Sequence, residues 1–167
     1  MSIQGDGSGV RVRRRGAEIT VVLVDDHDYV RDALGTLLGT TPDIRVVGEC
    51  ADGTEALETV LRTEPDVVLM DVAMPGMTGL EATRSVLAAR PQTRVVMLTG
   101  TITAEAVSAA RALGVSGYLL KDDAPDELPV QLRAVASGGS ASSSAAAARL
   151  AGASGRRPGA VPTPSIG

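Results

Sequence analysis

The stretch Val67-Val68-Leu69-Met70-Asp71-Val72-Ala73-Met74-Pro75-Gly76 decides the fold. Its four consecutive apolar residues read as a short strand. The run delivers one carboxylate, Asp71, to a strand end, and the Pro-Gly that follows is turn chemistry. The same design recurs outward from it. Ile19-Thr20-Val21-Val22-Leu23-Val24 runs into Asp25-Asp26, Val95-Val96-Met97-Leu98 into Thr99, and Gly117-Tyr118-Leu119-Leu120 into Lys121. If these runs are parallel strands of one sheet, three carboxylates, a hydroxyl and an ammonium meet at its carboxyl edge, where open α/β sheets place their sites.

Between Glu18 and Ser137, β-branched runs alternate with longer amphipathic ones, as in βαβ units. The pattern predicts strands at about 19–24, 44–48, 67–70, 94–99 and 117–120, and helices at about 29–40, 53–63, 79–90, 104–113 and 125–137. Asp52 with Glu55, and Thr78 with Glu81, have capping-box spacing, and Gly39 and Gly114 suit helix C-termini. In the second helix Ala56, Leu57, Val60 and Leu61 are expected on one face, against the sheet. Pro129 removes a backbone donor early in the last helix, so regular helix is expected from near Leu128.

The chain has 167 residues, 44% of them apolar, enough for one buried domain plus tails. Residues 1–17 read as a disordered basic arm, in which Gly5-Asp6-Gly7-Ser8-Gly9 lacks the flanking strand and helix of a dinucleotide loop. Residues 18–137 form the domain. Residues 138–167 turn to Gly, Ser, Ala, Arg and Pro and read as a linker or tail, with at most a short helix at 145–151. No apolar stretch nears the roughly 18 residues of a membrane span, and no signal-peptide core opens the chain, so a cytoplasmic location is expected.

From Glu18 to Ser137 there are 19 acidic and nine basic residues, a net charge of about −10, and the chain contains no Phe or Trp. Such a domain lacks the basic patch for duplex DNA and the aromatic platforms for single strands. Cys50 is the only cysteine, which excludes an intrachain disulfide and is read as packing. The basic residues are 15 Arg and one Lys. Lys121 either marks a site that wants a compact point charge or reflects Arg-rich codon usage.

Together these motifs resemble the receiver domain of bacterial two-component response regulators over about residues 18–137, with Gly117-Tyr118-Leu119-Leu120-Lys121-Asp122 most similar to the NarL/FixJ subgroup. The resemblance implies a flavodoxin-like (βα)5 doubly wound parallel sheet. It implies that Asp71 accepts a phosphoryl group from a sensor histidine kinase, the domain being a switch rather than a conventional enzyme. It implies Mg2+ bound by Asp26 and Asp71, by Asp25 through water, and by the Ala73 carbonyl. Thr99 and Lys121 would sense the phosphoryl group, and Tyr118 would be a switch aromatic alternating between outward and inward positions. Output, including a possible homodimer, would use the face from the fourth to the fifth helix.

The charge arithmetic agrees with this. Three carboxylates invite a small hard cation, and an acyl phosphate on Asp71 adds an anion that Lys121 can offset. Read alone, Asp25-Asp26 could equally be an acidic pair at a helix N-terminus, favoured by the dipole. His27 reads as a capping or surface residue rather than a metal ligand or phosphoryl carrier.

Gly100 stands where many receivers carry Ala, which predicts a looser turn. The subgroup normally continues into a helix-turn-helix module, and residues 138–167 lack the apolar period for one, so no specific DNA binding is expected. Two alternatives stay open. One is a NarL/FixJ-type transcriptional regulator whose DNA-binding module is missing from this chain. The other is a Mg2+-dependent aspartyl-phosphate phosphatase, which would want a second Asp at position 73, where this chain has Ala.

Overall fold

A computed structural model describes residues 16–123, 125–142 and 148. The basic arm through residue 15 and the 145–151 helix, apart from Ala148, lie outside the described residues. Five strand-helix units follow in order: β1 (Ile19–Val24), α1 (Asp28–Gly39), β2 (Ile44–Cys50), α2 (Gly53–Thr63), β3 (Val67–Asp71), α3 (Gly79–Ala89), β4 (Arg94–Thr99), α4 (Ala104–Leu113), β5 (Gly117–Leu120) and α5 (Glu127–Ala136). A two-residue strand, β6 (Ala141–Ser142), ends the sheet. The order is β2-β1-β3-β4-β5-β6, and every pairing is parallel. This is the flavodoxin-like receiver fold.

The continuous apolar runs are explained by burial on both faces. All five residues of β3 are buried, and alternation splits the four apolar ones between two cores. Val67 and Leu69 pack with Leu38 of α1 and Leu128, Leu132 and Val135 of α5. Val68 and Met70 pack with Ala56 and Val60 of α2, Ala82 and Val86 of α3, and Val107 and Ala110 of α4. Each such side chain contributes roughly 1.5–3 kcal/mol on burial, which makes β3 the anchor of the domain.

Local differences from expectation have local causes. On α2 the buried residues are Gly53, Ala56, Thr59 and Val60, while Leu61 is 50% exposed. The helix turns Thr59 inward because Gly48 of β2 leaves room for its methyl group. Thr78 and Glu81 form a full capping box on α3. On α2, Asp52 caps Thr54 and Glu55, but Glu55 reaches back to the Ala51 N–H instead of the cap residue, so the box is incomplete. Gly114 is the C-cap of α4, as expected, whereas Gly39 ends α1 and Thr40 caps it. Helix α5 begins at Glu127 rather than 125, and Pro129 sits in its first turn, where a missing N–H costs nothing. The expected tail does not start cleanly at 138, because Ala141–Ser142 return to the sheet as β6.

Candidate functional site

Register places the polar cluster. Val24 pairs with Met70, which sets Asp25 abreast of Asp71 across the β1–β3 boundary. Strand β1 lies between β2 and β3, so this boundary is where the chain switches sides, the usual position of a crevice. Asp71 pairs with Leu98, and Thr99 pairs with Leu120 immediately before Lys121. Backbone bonds lock these ends: Asp25 N donates to Cys50 O, Val72 N to Leu98 O, and Lys121 N to Thr99 O. Behind Asp71, Gly79 opens α3 so close that a Cβ there would stand 1.9 Å from the Asp71 carbonyl oxygen. Glycine lets α3 start directly against the strand end, which fixes where Asp71 points.

The structure brings Asp25, Asp26, Asp71 and Lys121 together. Asp25 and Asp71 are each 2% exposed. Lys121 Nζ lies 2.6 Å from Asp25 Oδ2 and 3.2 Å from Asp71 Oδ2. Asp71 Oδ1 accepts from the Ala73 N–H at 3.3 Å. The exposed Ala73 thus sits at the rim, tied to Asp71 by its amide. Burial, then the Asp25 charge, push the Asp71 carboxyl up to about 6, with Lys121 acting in the other direction. Burial works to lower the Lys121 pKa, but the two carboxylates outweigh it and the net shift is upward.

Asp25, Asp26, His27 and Asp71 each offer a ligand atom, all within 4.8 Å of one another, so the cluster could hold a metal ion. The chemistry of the donors fits a hard divalent cation. Asp25 Oδ2, Asp26 Oδ1 and Asp71 Oδ2 are buried; Lys121 Nζ is the contact of the first and last, and His27 Nδ1 lies 3.2 Å from the second. One lysine offsets only part of the charge of three clustered carboxylates, and burying the remainder is costly unless a further cation meets it.

His27 is the N-cap of α1 through its backbone, and its side chain, 62% exposed, makes no capping bond. Its Nδ1 instead lies 3.1 Å from Asp25 Oδ1 and 3.2 Å from Asp26 Oδ1. It is a surface residue, as read, but one that leans on the acidic pair. Thr99 is buried, and its hydroxyl donates to the Thr101 carbonyl at 2.8 Å. Tyr118 is 8% exposed, in the core with Met97 and Val107. Its hydroxyl is buried without a well-formed hydrogen bond, and burial raises its pKa against a smaller opposing effect of Thr99. The ring is in an inward position.

Sequence reading missed Arg31. Its side chain is 14% exposed, donates to the Asp25 carbonyl at 2.5 Å and pairs with Asp28, clamping the first turn of α1 to the end of β1. The available signal was its place on α1, just after the acidic pair. Cys50 packs as expected, with burial raising its thiol pKa.

Fold and site together define a doubly wound α/β domain with an acidic, lysine-countered crevice at the switch point of its sheet. The model of the response regulator receiver domain matches residues 21–133, and the chain belongs to that family. Response regulator UvrY of Escherichia coli (strain K12) is 38% identical over 120 residues, which are 72% of this chain and 55% of that protein. A LuxR-family two-component response regulator from Aurantimonas sp. SI85-9A1 superposes with a TM-score of 0.78 at 33% identity, over 83% of this chain and 99% of that one. The signal receiver domain of the putative response regulator NarL from Mycobacterium tuberculosis gives 0.70 at 34% identity, over 73% and 98%. The chain spans about half the length of the curated relatives it matches. No helix among the described residues is long and apolar enough to cross a membrane.

Proposed function

We propose that this receiver domain is a phosphorylation switch in which Asp71 takes a phosphoryl group from the phosphohistidine of a sensor histidine kinase. The observation that carries the reading is three clustered carboxylates at the strand ends, Asp25, Asp26 and Asp71, with Lys121 reaching buried oxygens of two of them. An Asp71 carboxylate oxygen forms the new O–P bond as the P–N bond breaks. The bonding electrons leave with the imidazole, and the product is an acyl phosphate. Asp71 must be ionised to attack, which its value of about 6 allows at neutral pH. Asp25, Asp26 and Asp71, with the Ala73 carbonyl, would hold Mg2+, which supplies charge neutralisation at the phosphoryl oxygens. Lys121 offsets the anion added to Asp71, and Arg31 keeps the Asp25 loop seated.

Thr99 would exchange its bond to Thr101 for one to the phosphoryl group, and Tyr118 would follow between outward and inward states. Output, and a homodimer if one forms, would use the α4–β5–α5 face, where Val130 is 59% exposed. We place the protein in the cytoplasm. The similarity to transcriptional regulators supports a second reading of the whole gene product, in which a DNA-binding module completes the chain. As it stands, this acidic chain is not expected to bind DNA specifically.

Incubation with acetyl phosphate and Mg2+ should add one phosphoryl mass to the intact protein. EDTA should prevent it, and so should Asp71→Asn. Equal modification of Asp71→Asn would overturn the proposal.

A further inference from the structure

The sixth strand sits where no strand was expected, and three independent features hold it. Ala141 N donates to Ser116 O at 2.9 Å, and Ala141, 4% exposed, enters the core that α5 shares with the sheet. Opposite it, Gly117 has no side chain to obstruct the approach; a Cβ there would lie 2.5 Å from the Ala141 Cβ and 2.6 Å from its carbonyl oxygen. On the outer edge Gln131 of α5 takes the place of a further strand. Its Nε2 donates to Ser142 O and its Oε1 accepts from Ser142 N, both at 3.3 Å. An exposed backbone edge is thereby closed by one side chain.

The strand is also placed against the switch. Ser142 is the register partner of Tyr118. A groove of about 190 Å³ separates α4 from this edge, lined by Tyr118, Ile102, Val107, Val115 and Ser140–Ser142. The ring now lies inward. Tyr118 and Ser140–Ser142 line the same groove, so an outward ring and a seated β6 would compete for one space.

We propose that β6 is a strap linked to the Tyr118 switch: when seated it favours the inward ring, and when the ring turns outward the strap is released from β5. This rests on the phosphoacceptor reading above, with the Tyr118 ring taken to favour the inward position when Thr99 engages the phosphoryl group. A bound element shifts an equilibrium only through its different affinity for the two states, and the effect is reciprocal. Phosphorylation therefore tightens the strap, and the strap raises the phosphorylated fraction.

The test is residue-resolved amide exchange at Ala141 and Ser142 in the full chain, with and without acetyl phosphate and Mg2+, with intact mass read on the same sample. A phosphorylated protein should protect both amides several-fold more than the unmodified one. Unchanged or weaker protection in a sample shown to be phosphorylated overturns the strap proposal and leaves the acceptor reading standing. A sample that takes up no phosphoryl group sinks the acceptor reading, and the next comparison then decides alone. Gln131→Ala removes both bonds to Ser142 and touches neither the carboxylates nor Tyr118. It should speed exchange at both amides, move the Tyr118 ring resonances toward those of an exposed ring, and lower the fraction phosphorylated at a fixed donor concentration. Ring resonances identical to wild type in Gln131→Ala would contradict the link.

Discussion

Asp71 and Asp25 face each other with one lysine between them, and the proton inventory follows from that. The Asp71 value of about 6 lies above the ordinary 3.8, so between those pH values the folded protein keeps a proton that the unfolded chain has lost. Stability from this group is therefore fully present below about pH 4 and declines as pH rises through about 6. Burial is the first cause and the Asp25 charge the second. Asp25→Asn should accordingly move the Asp71 carboxyl downward in a 13C titration of the metal-free protein. An Asp71 midpoint near the ordinary value in wild type, or one that does not respond to Asp25→Asn, would contradict this electrostatic picture. The identity of these residues was legible in sequence because each ends an apolar run. The clamp by Arg31 was not, since its partner is a backbone carbonyl, and side-chain identities carry no trace of such a bond.

At the scale of elements, the central strands were readable nearly to the residue because a strand buried on both faces is continuously apolar, whereas the half-exposed edge strand β2 runs two residues past its expected end. Helix α5 was placed two residues early. Asp123 accounts for that: its carboxylate accepts from Leu120 N and its own N–H donates to Leu120 O, so a tight turn precedes the helix. Strand β6 was invisible, because Ala141 and Ser142 have no strand propensity and their partners, Gly117 and Gln131, are remote in sequence. Two glycines beside the site should respond in opposite ways. Gly79→Ala drives a Cβ into the Asp71 backbone and should cost roughly 1–3 kcal/mol or more, as overpacking does. Gly100 meets nothing within 4 Å and does not use the left-handed region, so Gly100→Ala should stabilise by about 0.4–1 kcal/mol through the unfolded chain. Urea denaturation of the two variants checks both signs, and a destabilised Gly100→Ala would show that the β4–α4 turn needs glycine after all.

In the whole molecule, the carboxyl ends of the strands are the meeting point of charge and motion. Strands β1 and β3 carry the carboxylates, β4 the hydroxyl, β5 the lysine and the buried tyrosine, and β6 closes the edge beside it. The five strand-helix units were implied by the alternation of runs, and the acidic crevice by their endings. What the chain does with a phosphoryl group depends on positions that alternation alone does not set, namely the inward Tyr118 and the seated β6. The most direct measurement traps the modified residue in the wild-type protein. After incubation with acetyl phosphate and Mg2+, borohydride reduces an aspartyl phosphate to homoserine, and peptide sequencing by mass spectrometry locates it. The account predicts homoserine at position 71 alone. Homoserine at position 25 or 26, or a phosphoryl group carried on His27 with position 71 unmodified, would contradict it.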